Sequence, residues 1–462
     1  RTPNSELMKH YPEADLTEAD ISRAVDLALT SALLQRTEQG DLTHCPLMLS
    51  PAQITAPVIN QLESLAQPLA LLIHRVANNL EFLVEQLQAT AASDEYTGFL
   101  LSLALEAQRP QDSLRFSITR SDYFLTPQAD GLRQVEFNTI ATSYLGLSQK
   151  ITEFHQIWGN ITNQSWKLLP NQAIATVADA FVTVMGEYNL SKACVLFVVQ
   201  PNERNIFDQR LLEIALIARG IKVIRTSLEA IGEQGTLHQG HLVLNGDIAA
   251  ITYFRAGYRP DELESTIARQ GRQLIARSTT VSVPDLATHL AGTKKIQQVL
   301  TNPQLLKLFL DEQNMPIVRS AFAQIYPLEV AIEFEGKGML AKEAAIASPE
   351  KFVLKPQREG GGFNLYGEEL RQCLINLQAE EGNAYILMER LYPPKSFGWG
   401  LREGKLWQGE VVHEIGQYGV LIARGDRILT NQAAGYLVRT KLGDMNEGGI
   451  SAGYGHLNSL VN

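Results

Sequence analysis

Glu136 and Asn138 stand two residues apart in the run Leu132 to Asn138, where apolar and polar residues alternate. On a strand that spacing puts both side chains on one face, with Gln134 beside them and Val135 and Phe137 on the other. A carboxylate and a carboxamide so paired can hold a hard cation such as Mg²⁺, which takes one or two carboxylates together with phosphate and water oxygens. Taken alone, the pair reads as the solvent face of an edge strand. Company comes from FVLKPQREGGGFNLY, residues 352 to 366, where an apolar strand delivers Lys355 and then opens into Gly360, Gly361 and Gly362. Successive amide N–H groups of such a loop can wrap phosphate oxygens, with no side chain to hold the ligand away. Glu359 beside it would repel phosphate unless a metal lies between, so it fits a Mg²⁺ ligand shared with Glu136 and Asn138. Three glycines alone would instead be a flexible surface turn; Lys355 and Glu359 just before them argue for the phosphate loop.

Other chemistries are excluded by what the chain lacks. There is no GxxxxGK[ST] phosphate loop, no GxGxxG between the strand at Val195 and its helix, and no HExxH. Gly449 to Gly453 fits the GxSxG expression, but only nine residues follow it, with His456 too close and no carboxylate after it, so a hydrolase of that type is rejected.

The elements that must carry these residues are legible in outline. With 462 residues and 45% hydrophobic content, the chain is long enough for two or three domains with ordinary cores. Forty Lys and Arg against fifty Asp and Glu leave a net charge of −10, so no nucleic-acid partner is expected and an anionic ligand must meet a local basic cluster. Cys45, Cys194 and Cys373 form no CxxC pair or disulfide framework, which favours a reducing, cytoplasmic location. Apolar runs such as Val195 to Val199 are far too short to span a bilayer, and no membrane partner is expected. Thr17 and Asp20 predict a capping box, followed by helical spacing of Ile21, Val25, Leu29 and Leu33, and Leu71 to Leu87 repeats that signal. Arg115 to Asn138 reads as a hairpin turning at Asp130-Gly131. Residues 193 to 285 alternate strand and helix, with an Asn245-Gly246 hairpin, and predict a sheet covered by helices. Strands are expected again at Phe352 to Lys355, at Tyr385 to Glu389 and from Gly409 to Arg439. These changes of pattern divide the chain into residues 1–190, 191–288 and 289–462.

The strings RSDYF, VEFNTI, ERNIFDQR, YFRAGY, LAGTKK, VLKPQREGGGFNLYGEE, YILMER and LVRTK, in that order from Arg120 onward, closely resemble the eukaryotic-type glutathione synthetase family. The resemblance implies a mixed α/β, circularly permuted ATP-grasp fold with an inserted α/β substrate-binding domain and a glycine-rich lid at about residues 340–400. It implies a homodimer that joins γ-glutamylcysteine to glycine with ATP and two Mg²⁺. Motif by motif, it makes Glu136, Asn138 and Glu359 metal ligands and puts Lys294, Lys355 and Gly360 to Gly362 on the ATP phosphates. Lys295 is expected to be a surface charge, because neighbouring helix positions do not share a face. The resemblance puts Asn364, Tyr366, Met388, Glu389, Arg390 and Leu391 around the nucleotide, with Glu414 on ribose hydroxyls and Lys441 and Glu447 also on the nucleotide side. For the dipeptide it points to Arg120, Ile140, Ala141, Thr142, Ser143, Glu203, Arg204, Asn205, Gln209, Arg255, Ala256, Gly257 and Tyr258. A γ-glutamyl ammonium calls for a carboxylate such as Glu203, and its carboxylate for a guanidinium such as Arg255. Arg439 and Lys441 alternate onto one strand face and fit transferred phosphate, acyl phosphate and glycine carboxylate. Gly448 to Gly453, with Ile450 and Ser451 at its tip, is the expected loop over glycine.

The chain departs from the family pattern at Ala141 (serine is usual), Ala256 (aspartate) and Phe363 (asparagine), each change removing a hydrogen-bonding group. Ile450-Ser451 replaces a common Val-Ala pair, which leaves open a homoglutathione-type ligase using β-alanine or serine. The three losses raise a further alternative, a glutathione-synthetase-like binding or effector protein with impaired turnover.

Overall fold

A computed structural model describes residues 16–190, 193–359, 362–443, 445–446, 448–450, 453 and 455–462. Its centre is a seven-stranded sheet in the order Ser396–Arg402, Leu47–Met48, Gly455–Asn458, Arg427–Leu442, Lys405–Arg424, Leu114–Leu125, Leu132–Asn138. Ser396–Arg402 also pairs with the start of Lys405–Arg424, so the first five strands close on themselves and, among the described residues, Leu132–Asn138 is left as the edge. Segments 300 residues apart in the chain thus become hydrogen-bonded neighbours, and that pairing is what assembles the site.

Alternation on the long strands separates two cores. Phe116, Ile118, Val420, Ile422 and Leu437 face one side, packed with the helices Leu145–Ile161 and Ala173–Tyr188. Tyr123, Leu125, Ile415, Tyr436 and Val438 face the other, against the helices Ala56–Ala77, Leu80–Ser93 and Glu95–Glu106. The apolar face of each helix is the reason it forms: burial of that stripe stabilises it beyond what intrinsic propensity supplies.

Residues 193 to 283 form the expected α/β unit, with Val223–Thr226, Ala193–Val198, Asp247–Phe254 and Val281–Val283 paired in parallel. The Asn245-Gly246 turn has both residues at positive φ, 51° and 87°, as a two-residue hairpin requires. A third body has its own core of Leu328, Phe352, Leu354, Leu370, Leu374 and Leu387 around the strands Ile325–Tyr326, Tyr385–Glu389 and Phe352–Pro356.

The Thr17–Asp20 capping box forms as expected and starts the helix Glu18–Thr30. The helical signal at Leu71 to Leu87 divides at Asn78, and Asn79 caps the following helix by accepting from Phe82 N at 3.0 Å. No described helix is long and apolar enough to cross a membrane.

His155, fully buried, joins three segments: Nε2 donates to Met48 O at 2.9 Å and Nδ1 accepts from Ser459 Oγ at 2.7 Å. Both ring nitrogens are satisfied in one neutral tautomer, and burial pulls its pKa down to about 4. Between that value and its ordinary 6.5 the unfolded chain holds a proton that the folded chain does not. The resulting stability is present above the upper value and declines as pH falls toward the lower, by about 1.4 kcal/mol per pH unit. In urea unfolding at about pH 7 and about pH 5, His155→Gln is expected to remove about 2 kcal/mol of the wild-type difference between the two pH values.

Candidate functional site

Four strands of the central sheet bring charged side chains onto one patch. Asp122 is opposite Gly416 on one side and Glu136 on the other, Arg120 is opposite Asn138, and Glu414 is opposite Arg439. Arg120 grips Asp122 with both edges of its fork, Nε to Oδ1 at 2.6 Å and Nη2 to Oδ2 at 2.8 Å. Arg439 Nη2 donates to Asp122 Oδ2 at 3.0 Å and to Glu414 Oε1 at 2.5 Å. Burial opposes the charge on Arg120, but Asp122 more than offsets it and holds the guanidinium protonated, well above its ordinary pKa. Gly416 is what leaves room: a Cβ there would lie 2.5 Å from Asp122 Oδ1 and 2.9 Å from Arg120 Cδ.

This patch is part of the wall of a cavity of about 850 Å³, into which the third body brings Lys355 and Glu359. Glu136, Asn138 and Glu359 line it together. The strict alternation expected at Leu132 to Asn138 is broken, because the pairing shifts register between Asp122 and Tyr123 and leaves Val135 without a partner. Val135 therefore turns to the cavity beside Glu136, while Phe137 packs in the core as expected. The carbonyl exposed by that irregularity accepts from Lys355 Nζ at 2.8 Å, joining the strand Phe352–Pro356 to the sheet edge.

Burial pushes the Glu136 carboxyl up, but Lys294, Lys355, Arg439 and Arg120 together outweigh it and hold the pKa at about 2. Glu359 is pushed above its ordinary value, first by burial and then by the charge of Glu136, against the pull of Lys294 and Arg120. Two carboxylates in mutual repulsion at the wall of one cavity are what a divalent cation neutralises. Asn138 Nδ2 donates to Asp122 Oδ2 at 3.0 Å and Glu136 Oε1 at 3.4 Å, which leaves the amide oxygen as its ligand atom. Among the described residues no group of three or more His, Cys, Asp or Glu is placed to hold a metal, so the fit rests on this mixed set.

Lys294 is charged, buried and near both carboxylates, but it does not line the cavity: Nζ donates to Arg358 O at 2.5 Å. Lys295 points elsewhere, as expected, though it is half-buried and donates to Gln298 Oε1 at 2.8 Å. Glu414 lines the cavity, with Oε1 accepting from Arg439 Nη2.

On the α/β side, Glu203, Arg204 and Asn205 line the cavity together with Ile140, Ala141, Thr142, Ser143, Arg255 and Tyr258. Arg255 ties the 140–143 loop to the α/β unit, donating to Thr142 O at 3.0 Å and Ser143 Oγ at 2.7 Å. Ala141 sits at φ 50°, which is strained for a residue with a Cβ. Gln209 stands behind Glu203 and donates Nε2 to its Oε2 at 2.9 Å. Ala256 and Gly257 do not line the cavity; Ala256 is buried, and Gly257 O accepts from Tyr96 OH at 2.8 Å. Arg204 lies at the mouth, 3.7 Å from Glu38.

On the side of the third body, Asn364, Tyr366, Met388, Glu389, Arg390 and Leu391 line the cavity. Arg390 lies over the rings of Tyr366 and Tyr392, at 5.4 and 5.3 Å, and reaches Asn446 Oδ1 at 2.8 Å. Lys441 lines it too and donates to Asn446 O at 2.5 Å, so Arg390 and Lys441 meet at Asn446. Ile450 lines the wall, whereas Gly362 does not and Phe363 is exposed. Gly360, Gly361, Glu447 and Ser451 lie outside the described residues.

Sequence reasoning passed over Asp122, although it lies in the quoted string RSDYF two positions after Arg120, on the same strand face. It also passed over Asp208 in ERNIFDQR, whose carboxylate accepts from Tyr144 N at 2.7 Å, Gly146 N at 2.8 Å and Leu147 N at 3.1 Å. That clamp holds the start of the helix Leu145–Ile161, and with it the 140–143 loop, against the α/β unit. Gln200, Asn202, Arg259 and Lys395 line the cavity with no local signal beyond their polarity.

The model of the family described as eukaryotic glutathione synthase, ATP binding domain, matches residues 15–461. The chain is 37% identical over 434 residues to a chloroplastic glutathione synthetase of Solanum lycopersicum, covering 91% of this chain and 78% of that one. It is 36% identical over 449 residues to the glutathione synthetase of Homo sapiens, covering 93% and 94%. Among solved structures, a glutathione synthetase like-effector from Globodera pallida, in apoform, shares the fold with a TM-score of 0.76 at 18% identity, covering 96% of each chain.

The charge patch yields a measurable expectation. Asp122→Ala leaves two buried guanidinium groups short of their counter-ion and is expected to cost about 3–5 kcal/mol in urea unfolding. Gly416→Ala, which forces a methyl group against the same pair, is expected to destabilise in the same direction, and a loss below about 1 kcal/mol for both would mean that the patch is not a structural centre.

Proposed function

Because the chain belongs to the eukaryotic glutathione synthase family, we propose that it is an ATP-dependent carboxylate-amine ligase joining γ-glutamylcysteine to glycine, with release of ADP and phosphate. The observation that carries this reading is one cavity walled by Glu136, Asn138, Lys355, Glu359 and Arg439 on one side and Glu203 and Arg255 on the other. At about 850 Å³ it has room for a nucleotide and a peptide side by side.

In this reading the cysteinyl carboxylate of the dipeptide attacks the γ-phosphorus of ATP and ADP leaves. The amine of glycine then attacks the acyl carbon, phosphate departs with the C–O bonding pair, and the amine gives up its proton. Glu203, oriented by Gln209, holds the γ-glutamyl ammonium, and Arg255 faces its carboxylate. Lys355 and Arg439 offset the charge that builds on the transferring phosphoryl group, and Arg439 keeps its place through Asp122 and Glu414. Glu136, Asn138 and Glu359 would hold Mg²⁺, which when bound neutralises triphosphate charge. Lys294 acts from behind the wall, as a charge that keeps Glu136 ionised. The lid residues around Tyr366 and Arg390 enclose the nucleotide base, and the segment around Asn446 to Ile450 keeps water from the acyl phosphate.

Ala256 and Phe363, two of the three departures from the family pattern, are not among the residues that line the cavity, which supports turnover over a binding-only role. A homodimer working in the cytoplasm, with two Mg²⁺ in each site, completes the proposal.

ADP release is expected to require γ-glutamylcysteine and glycine together; release that ignores glycine, or prefers β-alanine or serine, would overturn the acceptor assignment. Lys355→Met should lower kcat by about 10²–10³. Glu203→Gln should act mainly on KM for the dipeptide, raising it about ten-fold or more with a smaller change in kcat.

A further inference from the structure

None of the candidate site residues read from the sequence precedes Arg120, and the helices Leu80–Ser93 and Glu95–Glu106 carry no group assigned to the reaction. The corner between these helices nevertheless touches two of the bodies that wall the cavity. Toward the third body, Thr90 Oγ1 donates to Asn383 O at 3.0 Å and Ser93 Oγ to Glu380 O at 2.8 Å. Toward the α/β unit, Tyr96 OH donates to Gly257 O, two residues after Arg255. Between the two helices stands Asp94, 4% exposed.

The two oxygens of Asp94 have separate partners. Oδ2 accepts from Thr97 N at 2.9 Å and Thr97 Oγ1 at 2.6 Å, and so starts the second helix. Capping of that kind needs one oxygen and no charge, and an asparagine serves it as well. Oδ1, with the negative charge, goes to Arg358, whose Nη1 lies 2.5 Å away.

Arg358 immediately precedes Glu359 in the chain, and its backbone is fixed on both sides. Its N–H donates to Pro356 O at 2.8 Å, and its carbonyl accepts from Lys294 Nζ at 2.5 Å. Gln357, one position earlier, accepts from Lys295 N through Oε1 at 3.1 Å, which seats the start of the helix Lys294–Leu300 on the same turn. The turn at residues 356–358 therefore sets Glu359 and Lys294 relative to each other. The Arg358 side chain does not line the cavity, because Asp94 draws it to the helix corner. Without that counter-ion a guanidinium one residue from Glu359 would be free to compete with a metal for the carboxylates.

On the reading of this cavity as a ligase site, we propose that Asp94 is a positioning residue for the nucleotide. Through Arg358 it fixes the turn that carries Glu359 and the carbonyl partner of Lys294, and it keeps the Arg358 guanidinium away from the phosphates. The helical corner thereby takes part in the reaction without touching a substrate.

The test is equilibrium binding of a non-hydrolysable ATP analogue with Mg²⁺ to the full chain, alongside steady-state kinetics. Asp94→Asn keeps an oxygen for the Thr97 cap and removes the charge. It is expected to raise the Kd of the analogue about three- to ten-fold while KM for γ-glutamylcysteine stays within about two-fold. Arg358→Gln is expected to do the same, and the double variant to add nothing further, because both break one link. An analogue Kd unchanged by Asp94→Asn, equal losses for nucleotide and dipeptide, or additive effects in the double variant overturn the proposal. If Asp94→Asn does not fold, the part-exposed Arg358 decides the matter. Its contact with Asp94 uses a single nitrogen, so Arg358→Lys should bind the analogue about three-fold or more tightly than Arg358→Gln, and equal binding by the two overturns the proposal. Failure of the wild-type chain to bind the analogue would overturn the ligase reading and this role with it, whereas wild-type binding that none of these variants alters overturns this role alone.

Discussion

A carboxylate that must be shared by two buried guanidinium groups constrains the centre of this protein. Asp122 accepts from Arg120 and Arg439 and also from Asn138, and each of these lies on a different strand. Desolvating that many charges is unfavourable, and each partner is tolerable only while the others are in place. The strands are therefore held to one register, because a slip by one residue would turn an arginine into the apolar core and leave the carboxylate exposed to the wrong face. Gly416 belongs to the same constraint, since any side chain there would occupy the space the pair needs.

The remaining parts of the cavity are attached to this patch by polar bridges between bodies with separate apolar cores. Lys355 reaches from the third body to Val135, and Asp208 and Arg255 fasten the α/β unit to the 140–143 loop. Such bridges set direction more than they add stability, because each net hydrogen bond contributes only about 0.5–1.5 kcal/mol. Their value is positional: they aim Glu203, Arg255, Lys355 and Glu136 at a common volume from three bodies. A ligase that transfers a phosphoryl group without a protein nucleophile depends on such placement.

Local patterns carried much of this. The period of two at Leu132 to Asn138 put Glu136 and Asn138 on one face, and the apolar run Phe352 to Leu354 marked the strand that delivers Lys355. The same rule failed at Val135, because an irregularity in pairing depends on the partner strand and leaves no mark in the strand's own alternation. Lys294 shows the opposite limit: the motif around it is plain, but its ammonium is turned to the Arg358 carbonyl by packing that no neighbouring residue specifies. Gln209 and Glu414 likewise proved to stand behind or beside other side chains, a distinction of a few ångströms that spacing along a chain does not encode.

From the order of residues alone come the helices, the hairpins, the α/β unit between 193 and 285, and the kinds of side chain available for cation, phosphate and peptide. Those follow from short-range periodicity, turn chemistry and recognisable strings. Tertiary structure alone decided that Arg120, Asp122, Glu414 and Arg439 share charge and that Lys355 meets the sheet edge. These depend on contacts between residues separated by tens to hundreds of positions, where the energy of burying a charge is set by whatever partner the fold brings to it.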